Sequence, residues 1–85
     1  MPSSNVRPVL YVKTGCPWCE EAEEFLNSRD IAYDRLDVLR DAEAFARMKE
    51  LSGQTKAPTL DWDGEILADF GAAELEPFLK ERGTL

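Results

Sequence analysis

The residues best suited to chemistry are two cysteines, set as Cys16-Pro17-Trp18-Cys19. A C-x-x-C where a strand meets a helix is a site for reversible dithiol–disulfide exchange, for local reasons. A helix N-terminus leaves main-chain N–H groups unpaired and carries partial positive charge, so it favours an anion such as a thiolate. The apolar run Val9-Leu10-Tyr11-Val12 reads as a strand, ends at Lys13-Thr14-Gly15, and delivers Cys16 to the start of a helix. Pro17 suits the first helical position, because its missing N–H is not needed there and its φ is already helical. Cys19, three residues on, faces the same side of the first turn and can resolve a mixed disulfide formed at Cys16. Glu20, Glu21, Glu23 and Glu24 complement the helix dipole but oppose a thiolate at Cys16, so Lys13 and the main-chain amides must outweigh them. The acid run itself reads as a solvated face.

The elements that must position these residues alternate β-α-β-α-β-β-α. The first strand covers residues 9–12 and the first helix 17–28, with Ala22, Phe25 and Leu26 on its inner face and Trp18 on that face or at the site's rim. Asp30 breaks the helix. Residues 31–38 follow as a strand whose imperfect alternation suggests a sheet edge. A second helix over 41–51 turns Ala42, Phe45, Met48 and Leu51 inward and ends at Gly53, a natural left-handed cap. Asp63-Gly64 is a two-residue hairpin signal between strands at 59–62 and 65–69. Phe70-Gly71 turns the chain into a last helix at about residues 73–82, with Leu75, Phe78 and Leu79 inward; Pro77 belongs near its first turn. Tyr11 and Trp62 complete the expected core. A βαβ pair plus a hairpin makes an α/β domain, a four-stranded mixed sheet flanked by three helices.

Composition narrows the function. With 85 residues, 44% hydrophobic and 32% charged, the chain reads as one soluble domain over 1–85, with residues 1–7 as a flexible leader. A net charge of −7 argues against nucleic acid and anionic membranes, and suits a basic partner surface. No apolar run nears the roughly 20 residues that span a bilayer, and the one behind the polar N-terminus is too short for a signal-peptide core. A cytoplasmic location is therefore expected, where C-x-x-C reads as redox or metal chemistry rather than a structural staple. The absence of histidine excludes Cys–His and Ser–His nucleophile pairs and imidazole metal sites. Two cysteines are half of a tetrahedral zinc site, so no metal is expected within one chain.

Lys13-Thr14-Gly15-Cys16-Pro17-Trp18-Cys19 resembles the active-site segment of dithiol glutaredoxins, and Ser52-Gly53-Gln54-Thr55-Lys56-Ala57-Pro58 is similar to that family's Ser-Gly-Gln-x-Thr-Val-Pro segment. The resemblance covers about residues 9–82 and implies a thioredoxin-like fold. It implies a cis Pro58 that brings the main chain of Ala57 beside Cys16, where an incoming cysteine pairs as an added strand. It also implies glutathione as reductant and co-substrate, contacted by Lys13, Arg40 and Gln54, with Trp18 in place of the usual tyrosine. Phe70-Gly71-Ala72-Ala73-Glu74 stands where the family often has Gly-Gly-(Cys or Ser)-Asp-Asp, with one glycine and one acid fewer. The amides of Ala72 and Ala73 after Gly71 would then hold the γ-glutamyl carboxylate, and Glu74 its ammonium.

The implied activity is thiol–disulfide exchange on disulfide-containing or glutathionylated proteins by a monomer, with attack by Cys16 and resolution by Cys19 or glutathione. Two alternatives stay open. One is a glutaredoxin-like redoxin reduced by a thioredoxin reductase. The other is a carrier or sensor holding a [2Fe–2S] cluster between two subunits.

Overall fold

The structure is a computed structural model that describes residues 7–84. Its elements are β1 (Val9–Val12), α1 (Pro17–Ser28), β2 (Asp34–Asp37), α2 (Ala42–Ser52), β3 (Thr59–Trp62), β4 (Glu65–Ala68) and α3 (Ala72–Glu81). The sheet runs β2-β1-β3-β4, with β1 parallel to β2 and the other neighbours antiparallel. This is the mixed four-stranded sheet that the sequence pattern predicts, with β2 at an edge.

Alternation along β1 decides the layering. Leu10 and Val12 face one side, where they meet Cys19, Ala22 and Leu26 of α1 and Leu75 and Leu79 of α3, together with Leu60 and Phe70. Tyr11 faces the other, against Val38 and the Ala44 and Met48 of α2, with Val9 and Phe45 packed beside them. Successive side chains of a strand point to opposite faces, so one four-residue strand serves two cores. The carboxyl end of β1 is thereby fixed from both sides, and the next residues carry the cysteines.

Local chemistry sets the ends. Asp41 Oδ1 accepts from the N–H groups of Glu43 and Ala44 at 3.1 Å each and caps α2. Gly53, at φ 72°, closes that helix by donating to Lys49 O at 2.8 Å. Asp63 and Gly64 both adopt positive φ, 54° and 91°, which a tight two-residue hairpin requires.

Several boundaries differ from the sequence reading. β2 is shorter than 31–38, because Asp30 turns left-handed (φ 57°) and Ile31 N–H donates back to Leu26 O at 3.0 Å, so residues 31–33 leave α1 rather than pair. Ala42 is exposed at the first turn of α2, and Ala44 is buried in its stead. α3 begins at Ala72, which puts Pro77 in its second turn; the ring lies on the exposed side, away from buried Leu75 and Leu79, which hold the helix. Of the predicted flexible leader, residues 1–6 lie outside the described residues. Arg7 is anchored, donating to Tyr33 O at 3.1 Å and pairing with Asp34 at 3.2 Å. Among the described residues no helix is long and apolar enough to cross a membrane.

Candidate active site

Cys16 is the N-cap of α1, with extended backbone (φ −93°, ψ 113°). Its own N–H donates to Lys13 O at 3.1 Å, closing a turn in which Gly15 adopts φ 85°. Its Sγ accepts the N–H of Cys19 at 3.2 Å, so sulfur takes the place of the usual capping oxygen. The two thiols, both free, are unequal: Cys16 is half-buried and Cys19 is 1% exposed. Burial, and next the hydrogen bond with Cys16, push the Cys19 thiol up to about 12; the charges of Cys16 and Glu23 add to this, while a main-chain hydrogen bond at Lys13 works against it. Two of these causes belong to Cys16 itself. They disappear once its sulfur enters a mixed disulfide, which eases ionisation of Cys19 at that moment.

Facing Cys16 is the Ala57–Pro58 peptide bond, which is cis, with Ala57 O 4.0 Å from Cys16 Sγ. Pro58 is buried. The loop before it is braced by Gln54, whose side-chain nitrogen donates to Ser52 Oγ (3.1 Å), Lys56 O (3.2 Å) and Thr59 Oγ1 (3.4 Å). Its side-chain oxygen accepts the N–H of Lys56. Gln54, expected from the resemblance as a glutathione contact, thus commits its amide to the loop. Beyond Pro58, whose carbonyl accepts Asp69 N–H at 2.9 Å, the chain runs on to α3.

At the start of α3 the structure departs from what the resemblance implies. Ala72 N–H donates to Glu21 Oε2 at 3.1 Å, and Gly71 N–H donates to Glu74 Oε1 at 2.8 Å. The Ala72 amide expected to hold an outside carboxylate is therefore occupied by one of the chain's own. Glu21 lies 51 residues away in sequence, so no local pattern announces this contact. The acid run of α1 is accordingly not uniformly solvated: Glu23 also has partners, accepting from Tyr33 Oη at 3.1 Å and Arg35 Nε at 3.0 Å. Trp18 stands at the rim, 60% exposed, with its ring against Gly71; a Cβ at Gly71 would come within 3.1 Å of Trp18 Cε3. Trp18, Asp69, Phe70, Gly71 and Glu74 line a groove of about 370 Å³.

Arg40 and Lys13 are the remaining predicted residues, Lys13 adjoining Cys16 through its carbonyl. The exposed Arg40 guanidinium pairs with Asp37 at 3.9 Å, and the Lys13 ammonium makes no ion pair among the described residues. Asp37, which sequence reasoning passed over, ties the site to the sheet edge. Its carboxylate accepts from Thr14 Oγ1, two residues before Cys16, and from Leu39 N–H at 2.9 Å. The signal for this bond is the parallel β1–β2 register, which sets Val12 opposite Asp37 and exists only once the sheet is formed.

The Thr14 hydroxyl first, then the Leu39 amide, hold the Asp37 carboxyl below the usual carboxylate range. A lowered folded-state value contributes stability that is present above the unfolded value and lost as pH falls through the folded one. Asp37→Asn should therefore unfold at lower urea than the parent at pH 7, with the gap closing below about pH 4. A gap that stays constant down to pH 2 would show that the carboxylate's charge is not what holds the turn.

A reduced dithiol at a helix start, facing a buried cis proline on a mixed four-stranded sheet, defines a thiol redox protein of the thioredoxin fold. The model of the glutaredoxin family matches residues 9–67, and the chain belongs to that family. It is 31% identical over 72 residues to an uncharacterized glutaredoxin-like 8.6 kDa protein in the rubredoxin operon of Clostridium pasteurianum, covering 85% of this chain and 96% of that protein. Among solved structures it is similar to the thioredoxin-like protein BC3987, at 33% identity and a TM-score of 0.78, over 86% of this chain and all (100%) of that one. It is also similar to a glutaredoxin from Brucella melitensis, at 26% identity and a TM-score of 0.69, over 98% of this chain and 87% of the other.

Proposed function

We propose that the chain is a dithiol thiol–disulfide oxidoreductase that reduces protein disulfides and glutathionyl mixed disulfides, with glutathione as its reductant. The observation that carries this reading is the inequality of the two thiols: Cys16 half-buried at the helix start, Cys19 buried with its proton held. The Cys16 thiolate attacks one sulfur of the substrate disulfide. That bond breaks, a new S–S bond joins Cys16 to one half, and the other half leaves as a thiolate that takes a proton from water. Cys19 then gives up its proton to solvent and attacks Cys16 Sγ, releasing the second half. The substrate has gained two electrons and two protons, and the chain holds a Cys16–Cys19 disulfide. Two glutathione molecules reduce it and leave as oxidised glutathione.

The occupied start of α3 favours a second reading of the reductant, a protein of the thioredoxin reductase type. Both carboxylates of glutathione are anionic, and Glu21 already fills the Ala72 amide. The test is steady-state turnover of a glutathionylated peptide, with either glutathione plus glutathione reductase or thioredoxin reductase as the electron source. Turnover with the first supports glutathione as the reductant. Turnover with only the second moves the chain to the other circuit, and failure of both in a folded protein rejects the enzyme reading.

A further inference from the structure

Cys16 hangs from the sheet by a short turn. β1 ends at Val12, whose carbonyl accepts the Val38 N–H at 2.9 Å, and Lys13, Thr14 and Gly15 bridge from there to Cys16. Gly15 supplies the bend at φ 85° but no contact, since even a Cβ there would meet nothing within 4 Å. Inside the turn, Cys16 N–H donates to Lys13 O at 3.1 Å, and a main-chain hydrogen bond at Lys13 also reaches the Cys19 thiol. Outward, the Thr14 hydroxyl donates to Asp37, the one side-chain hydrogen bond of the turn among the described residues. Asp37 is itself held: its side chain is 9% exposed, accepts the Leu39 N–H at 2.9 Å and pairs with Arg40 at 3.9 Å.

The facing wall is fixed in another way. Ala57-Pro58 runs directly into β3, where Thr59 pairs in register with Tyr11 of β1. Ala57 O, 4.0 Å from Cys16 Sγ, is therefore placed by the sheet, whereas the sulfur is placed by the turn. A substrate disulfide has to enter between them in line with the attacking sulfur, and a misplacement of about 1 Å can cost on the order of a hundredfold in rate. We propose that Asp37 is a positioning residue for thiol–disulfide exchange: by holding the Thr14 hydroxyl it fixes the turn, and with it the gap between Cys16 Sγ and Ala57 O. This rests on Cys16 as the attacking thiol, the reading given above. The charge of Asp37 acts the opposite way, because a nearby anion opposes a thiolate. Removing Asp37 would speed exchange if charge were its role, and slows it if position is.

The experiment compares two rates in each variant of the reduced protein: single-turnover oxidation by a neutral peptide disulfide, and alkylation of Cys16 by iodoacetamide. Alkylation needs the thiolate but not the gap, so it separates position from ionisation. Thr14→Val and Asp37→Ala should each slow oxidation by about tenfold. Alkylation should stay within about twofold of the parent in both. Thr14→Ser, which keeps the hydroxyl, should restore most of the oxidation rate. The double variant Thr14→Val with Asp37→Ala should be no slower than either single one, because both remove the same bond. Thr14 is exposed, so Thr14→Val carries the test even where Asp37→Ala fails to fold. An unchanged or faster oxidation in Thr14→Val, or a fall in alkylation that matches the fall in oxidation, would overturn the positioning role and leave the Cys16 reading standing. Alkylation of Cys19 before Cys16 in the folded parent would overturn both.

Discussion

Cys16→Ser is expected to abolish turnover of every disulfide substrate, whereas Cys19→Ser should keep deglutathionylation and lose the reduction of protein disulfides that needs two thiols. The structure makes the roles unequal. Cys16 is half-buried and caps α1, with the Cys19 N–H aimed at its sulfur, while Cys19 is sealed in the core shared with Leu10, Val12, Leu60 and Phe70. Burial first, and Cys16 next, push the Cys19 thiol up to about 12, so at neutral pH it carries its proton and does not attack on its own. The same asymmetry predicts that brief alkylation of the reduced protein near pH 8 modifies Cys16 alone, as peptide mass mapping would show. In Cys16→Ser, Cys19 should stay unmodified under those conditions, because burial is the larger cause and remains. Equal loss of deglutathionylation in both serine variants, or ready labelling of Cys19, would reject the division of roles.

Leu60→Ala should cost about 3 kcal/mol of folding stability, a large share of the roughly 5 to 10 kcal/mol available to a domain this small. Leu60 is fully buried on β3, an interior strand, where it pairs in register with Leu10 and Leu67. It packs in the cluster that also contains Cys19 and Phe70, with Cys16 and Ala57 at its edge. A void there removes contacts from β1, α1 and α3 together, and no neighbouring strand end is free to collapse into it. Urea denaturation would show a lowered midpoint with little change in slope. Leu39→Ala, at a side chain 62% exposed, should stay within about 0.5 kcal/mol of the parent and serves as the control. Matching midpoints for the two variants would mean that the Leu60 face is not the packed centre of the molecule.

Much of the fold was legible because it depends on neighbours in sequence. The strand over residues 9–12, the helix opened by Cys16-Pro17, the left-handed Gly53 and the Asp63-Gly64 hairpin are each specified within a few residues, by side-chain period, capping chemistry or tolerance of positive φ. Element ends were less legible. Ala42 and residues 31–33 have suitable types for a buried helix face and a strand, but what they pack against decides their place. Gln54 shows the same limit: its amide suits a ligand contact, and only the folded loop reveals that Ser52, Lys56 and Thr59 take its hydrogen bonds.

The dithiol and its place at a helix start were determined by sequence alone, since spacing, proline and strand-to-helix transition all lie within one short stretch. Tertiary structure decided what surrounds it. The Thr14–Asp37 bond needs the parallel pairing of β1 with β2, and the Ala72–Glu21 bond needs α1 and α3 packed on one face of the sheet. Both join residues more than twenty positions apart, where no local propensity acts and only the closed fold can bring a donor to its acceptor.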